Sequence, residues 1–222
     1  MGTQWVRAQV KRNEMQDAVD SILRWVSQNR QTAAISAAAA AGVIVFAGIL
    51  LYSYRSKQAA AWDDFAVAAG TAYQGQTEAA LKKIDELNAR YPSSAASGYG
   101  LLFAGDLLYH RDRYPESLKY YKLLVDRGQP RVLAPFALGA QTVAMEAEGK
   151  CSEAVPAGEK FLAAFPDHFL APQVHASVAR CQTSLGQTDT AKITLRKISL
   201  QYPDTSWAAW AQDRLKALGG GA

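Results

Sequence analysis

Reactive side chains are few in this chain, and their spacing is unhelpful to chemistry. His110, His168 and His175 are its three histidines. They lie in different parts of the sequence, with no set of cysteines or carboxylates at ligand spacing, so neither a metal site nor a catalytic imidazole is expected. Asp63 and Asp64 are adjacent and read as a solvated helix start rather than an acid–base pair. No GxSxG elbow, Walker loop or dinucleotide fingerprint occurs. Cys151 and Cys181 are neither CxxC nor zinc-spaced, which argues against metal or thioredoxin-like chemistry. The expectation is a protein that is not an enzyme, with no catalytic residue, cofactor, metal or small-molecule substrate. What these residues do must come from the elements that carry them.

The chain has 222 residues, 49% of them hydrophobic, enough for one ordinary domain with an appendage. Its formal charge of +4 is spread out: residues 1–30 carry five Lys/Arg against three Asp/Glu, and residues 55–222 carry nineteen against seventeen. Neither part has the concentrated basic face that phosphate contacts need, so a nucleic-acid partner is not expected.

Between Arg30 and Arg55 lie 24 residues without a charge, "QTAAISAAAAAGVIVFAGILLYSY". As a helix rising about 1.5 Å per residue they would reach roughly 36 Å, against a bilayer core of about 30 Å. The segment reads as a transmembrane helix. A cleaved signal peptide ending at Ala59-Ala60-Ala61 is the rival, but its apolar region and leader would both be too long. Arg7, Lys11, Arg12, Arg24 and Arg30 precede the span and only Arg55 and Lys57 follow closely, which puts the N-terminus in the cytoplasm. Upstream, Met15, Val19, Ile22 and Val26 form one helical stripe opposed by Asp17, Asp20 and Arg24. With Trp25 near the interface, that stripe suits the inner leaflet, with docking on a cytoplasmic partner as the other reading. Within the span, Ser36 and Ala40, and Ala38 and Gly42, are small-xxx-small pairs able to admit a partner's membrane helix.

The remainder repeats. "YPSSAA" from Tyr91, "FPDHFLAP" from Phe165 and "YPDTSWAA" from Tyr202 start 74 and then 37 residues apart. Four further columns keep the period of 37: Ala68, Gly105, Thr142 and Ala179; Ala80, Ser117, Ala154 and Ala191; Leu87, Leu124, Phe161 and Ile198; Gly75, Asp112, Gly149 and Gly186. Within one period, "GYGLLFAGDLLY", "HRDRYP" and "ESLKYYKLLV" read as helix, turn, helix. The small residues of the first two columns let paired helix axes approach, the aromatic before each proline fills the wedge between hairpins, and the proline ends the helix. Pro156 falls inside an expected helix, so the third unit is expected to be kinked or to start late. Trp62, Tyr99, Phe136 and Trp210 form an aromatic column interrupted by Gln173, read as packing between repeats in preference to a peptide-stacking groove.

These residues resemble the tetratricopeptide repeats, whose signature runs Trp-x2-Leu-Gly-x2-Tyr, then Ala-x3-Phe, then Pro. Leu101, Ala104, Gly105 and Leu108 are similar to the first group, Ser117 and Tyr121 to the second, and Pro130 stands where the proline belongs. Ala191, Leu195 and Pro203 fit well, whereas Ala154, Gly158 and Pro166 leave the aromatic position empty. The resemblance covers about residues 62–218 and implies an all-α solenoid of helical hairpins.

A narrower resemblance concerns the order of elements: "MQDAVDSILRWV", the anchor, "YRSKQAAAWDDF", then divergent repeats. It is similar to the inner-membrane ancillary subunit of the bacterial Sec translocon, which implies periplasmic repeats that meet translocon subunits and periplasmic chaperones. The "YP" boundaries are similar also to periplasmic repeat proteins of outer-membrane biogenesis and cell-division coordination, which implies instead a structural subunit of an envelope assembly.

The expected organisation is a cytoplasmic amphipathic segment 1–30, a transmembrane helix 31–54, a repeat domain 55–218 and a flexible tail 219–222. The expected function is a single-pass inner-membrane scaffold whose periplasmic concave surface binds proteins. In stacked hairpins the second helix of one unit runs antiparallel to the first helix of the next. Cys151 near the start of the one and Cys181 near the end of the other are therefore expected to face each other and, in the periplasm, to form a disulfide.

Overall fold

The computed structural model describes residues 3–219, with side chains from Met15 onward. The described residues form ten α-helices and one 3-10 turn, with no strand: α1 Thr3–Gln28, α2 Arg30–Tyr73, α3 Thr77–Arg90, α4 Ala95–Tyr109, α5 Tyr114–Arg127, α6 Ala134–Ala147, α7 Cys151–Ala164, α8 Ala171–Ser184, α9 Thr188–Gln201 and α10 Ser206–Ala217. Two compact units are present, Met1–Ser56 and Lys57–Ala222. The tail residues 220–222 lie outside the described residues.

In the first unit, Met15, Val19, Ile22 and Val26 are all solvent-exposed on α1. The apolar run is carried by α2, the one described helix long and apolar enough to cross a membrane, and none of its most apolar window is buried. The expected membrane segment ends at residue 54, and the helix that carries it continues to Tyr73. "RSKQAAAWDDF" holds no glycine or proline, so nothing in the chain stops the hydrogen-bond ladder there.

The second unit is a solenoid of tetratricopeptide-like helical hairpins. The last part of α2 pairs with α3, then α4 with α5, α6 with α7 and α8 with α9, while α10 covers the end. Ala68 of α2 packs with Leu81 and Ile84 of α3, consecutive helices pack from α3 onward, and the first helices also touch one another, α4 on α6, α6 on α8 and α8 on α10. All eight small residues of the first two columns are buried. A Cβ built on Gly105 would fall on the ring of Tyr121, and one on Gly158 would strike Val178. Close approach of the helices at these points is thus what the small residues permit.

The turns explain the repeated punctuation. Within the hairpins, Gly75, Asp112, Gly149 and Gly186 all take positive φ, between 57° and 81°, a left-handed corner that only glycine, or a short polar residue, enters cheaply. Between hairpins, Tyr91, Phe165 and Tyr202 cap α3, α7 and α9, donating their backbone N–H to the carbonyls of Leu87, Phe161 and Ile198. Those acceptors are the fully buried column, so the aromatic is fixed directly beside the core. Gly128 replaces the aromatic in the second unit and ends α5 in the left-handed region, φ 65°. The next first helix starts with a hydroxyl cap at Ser94 and Thr205, or with Pro135 and Pro172 in the first turn.

Replacing Gly186, whose φ is +74° with open space around it, by alanine should cost about 1–2 kcal/mol from backbone conformation alone. An unchanged denaturant midpoint would contradict that account of the turn.

Helix α7 begins at Cys151 and runs through Pro156 without a late start. The Ala154 N–H already bonds the Lys150 carbonyl at 2.9 Å, and Pro156 withholds one donor from the second turn only.

Candidate functional site

Most side chains of the first helices are consumed by packing, and those that are not gather on one face. In the 37-residue frame this face is built by Phe136, Gln173 and Trp210, by Asp106, Val143 and Arg180, and by Tyr109, Glu146 and Thr183. Two clefts open on it. The first, about 270 Å³, lies between α4, α6 and α8 and is lined by Asp106, Tyr109, Tyr121, Phe136, Val143 and Gln173 among others. The second, about 540 Å³, lies between α6, α8 and α10 beside Glu146, Arg180, Trp210 and Arg214.

The first cleft holds a partly buried carboxylate. Asp106 Oδ1 accepts a hydrogen bond from Tyr121 Oη at 2.7 Å. Burial pushes the Asp106 carboxyl above its ordinary pKa, against the lowering effects of that hydrogen bond and of nearby His110. Burial, then the negative charge of Asp106 and its hydrogen bond, push the Tyr121 phenol up as well, so it stays a proton donor. The Tyr109 phenol is also raised, first by burial and then by Glu146. In the second cleft Glu146 receives both Nε and Nη2 of Arg180, the latter at 2.7 Å, and the guanidinium lies 5.6 Å from the Trp210 ring centre. That fork is a bidentate charge-assisted pair backed by an aromatic face.

The repeat-packing and membrane-helix residues expected from the sequence fall elsewhere. Ala68, Gly105, Thr142 and Ala179, with Ala80, Ser117, Ala154 and Ala191, sit inside the hairpins. Ser36, Ala38, Ala40 and Gly42 are exposed on α2. The aromatic column does not form a continuous ladder: Trp62 meets Tyr99 at 5.4 Å, but Phe136 meets Phe169 and Trp210 meets Trp207.

Cys151 and Cys181 are joined in a disulfide, Cα atoms 4.8 Å apart, between the first residue of α7 and the body of α8. The bridge is packed by Ala154, Met145 and Val155.

The histidines occupy separate settings. His110 is exposed at the end of α4. His168 sits among Phe136, Phe161, Phe165 and Phe169, its Nδ1 accepting from the Leu170 N–H. His175 packs near Tyr202, and burial, with Lys197 nearby, pushes its pKa down to about 4 despite a hydrogen bond with Gln201. Among the described residues no group of three His, Cys, Asp or Glu could hold a metal ion.

The His175 shift gives a pH prediction. Its folded pKa lies below the unfolded value of about 6.5, so between the two the unfolded chain binds more protons and stability falls as pH falls. The contribution is complete above about 6.5 and is lost on the way down to about 4. His175→Gln should flatten the stability profile over that window, and identical slopes in the two proteins would contradict the assignment.

Asp106, Glu146 and Arg180 were not singled out by the sequence reading. The available signal was two columns in the 37-residue frame, Asp106, Val143 and Arg180 and Tyr109, Glu146 and Thr183, whose chemistry changes from unit to unit.

Similarity to known proteins supports the architecture. The tetratricopeptide repeat profile matches residues 178–205, from the middle of α8 through α9 and its "YP" boundary. A search of curated proteins finds no match. Among solved structures, the putative kinesin light chain TPR-like repeats of Podosopora anserina are 14% identical with a TM-score of 0.55, covering 70% of this chain and 83% of that one. YrrB, a TPR protein with an unusual peptide-binding site, is 15% identical with a TM-score of 0.51, covering 69% and 76%. At such identity the likeness defines the class of fold, a tetratricopeptide-like repeat solenoid.

Proposed function

We propose that the chain is a membrane-anchored scaffold whose first-helix face binds an extended segment of another protein. The observation that carries this reading is the pair of clefts on one face, lined by side chains that the repeat packing leaves over. YrrB's peptide-binding site is a precedent for the use of such repeats.

The apolar run of α2 anchors the scaffold, with the N-terminus cytoplasmic by the flanking charge and the repeats in the periplasm. The Cys151–Cys181 bridge suits an oxidising compartment. The exposed stripe of α1 lies on the inner leaflet, and Ala38 and Gly42 pack on a partner's membrane helix. The order of these elements favours work beside the Sec translocon, assisting translocation or recruiting periplasmic chaperones.

Co-purification of the full chain in mild detergent tests this. Substoichiometric recovery of translocon and chaperone subunits is expected, and Ala38→Leu/Gly42→Leu should weaken it. A fixed stoichiometric envelope complex would replace this reading with a structural subunit of an envelope assembly. Recovery of no partner would remove both.

A further inference from the structure

The first cleft is more selective than a general apolar groove. Resting on the reading of the first-helix face as a peptide-binding surface, we propose that the Asp106 cleft receives a cationic side chain, lysine or arginine, from the bound segment.

The argument is one of charge complementarity. The other carboxylate facing these clefts, Glu146, is already engaged in a two-point pair with Arg180. Among the described residues Asp106 belongs to no ion pair; its hydrogen bond comes from a neutral phenol, Tyr121. His110 also lines the cleft but makes no ion pair with Asp106, so the cost of removing the carboxylate from water is only weakly countered, and a cation entering the cleft offsets it. The walls favour the same guest. Tyr109 and Phe136 supply aromatic lining for an ammonium or guanidinium, while Leu102 and Val143 suit its methylene stem. About 270 Å³ leaves room for one such side chain. An acidic guest would meet Asp106 as a like charge, and an apolar one would bury it further without a partner.

The test uses the full chain in detergent and arrayed decapeptide libraries. The central residue is fixed as lysine, arginine, norleucine or glutamate, and the other positions are randomised. Lysine and arginine libraries should retain about tenfold more protein than norleucine or glutamate ones, a ratio worth about 1.4 kcal/mol. Asp106→Asn keeps an acceptor for Tyr121 and should bring the ratio close to one. Glu153→Gln, an exposed carboxylate on α7, should leave it unchanged. Phe136→Leu, which keeps the charge and removes a ring, should lower it partway. Retention without a cationic preference, or a preference that survives Asp106→Asn, would overturn this inference and leave the peptide-binding reading standing. No retention of any library by the wild-type chain would instead defeat the peptide-binding reading, and this inference with it.

Discussion

Reducing the Cys151–Cys181 bridge should lower the stability of the repeat unit by roughly 3–4 kcal/mol, the chain-entropy value for a loop of this size. The two residues are 30 apart in sequence, so the unfolded chain regains a substantial closed loop when the bond is opened. Reduction leaves both sulfurs in their packed setting beside Ala154 and Met145, and the effect is then chiefly on the unfolded state. The bridge also ties the start of α7 to α8, across the stretch where Pro156 withholds a backbone donor. Thiol counting on the denatured, unreduced chain should find none, and the denaturant midpoint should fall on adding reductant. Two reactive thiols per chain would contradict the bridge and weaken the periplasmic reading with it.

Phe161→Ala should cost about 3–5 kcal/mol, the usual range for emptying a fully buried aromatic position. Phe161 is completely buried and packs with Ala171, Val174 and Val178, with the rings of Phe165 and His168 at 5.6 and 5.9 Å. Its backbone carbonyl also receives the cap from Phe165. In a stack of repeats each unit is held mainly by its neighbours. The loss should therefore concentrate on α6–α9, and hydrogen exchange should speed there before it does in α3–α5. A cost below about 1 kcal/mol would show that the 161 position is not the core site that its column implies.

The architecture was legible because a solenoid writes its packing into the sequence at a fixed period. Every hairpin must bury the same points, so Leu87, Leu124, Phe161 and Ile198 recur at 37 residues, and the corner at Gly75, Asp112, Gly149 and Gly186 recurs with them. The YP boundary was legible for the same reason, since a cap onto a buried carbonyl is a local demand. The polar part of the binding face was not, because binding does not require its members to be alike. Asp106, Val143 and Arg180 share one position in three hairpins and three different chemistries, so a search for recurrence passes over them. The aromatic column carries no continuous ladder. Its members share a phase, yet side-chain direction takes Phe136 to Phe169 and Trp210 to Trp207 instead of to each other. At Tyr54 the hydropathy changes while the helix propensity does not, so α2 runs on past the apolar run.

Site-specific photo-crosslinking in intact cells tests the central claim most directly, with the probe placed in turn at Leu102 and Ala140, which line the first cleft, and at Leu123 and Ile193, which are exposed on the second helices. Partner adducts from Leu102 and Ala140 alone, blocked by cleft-facing substitutions such as Phe136→Ala, are the predicted result. Adducts that arise from Leu123 and Ile193 instead would contradict a scaffold that binds through its first-helix face.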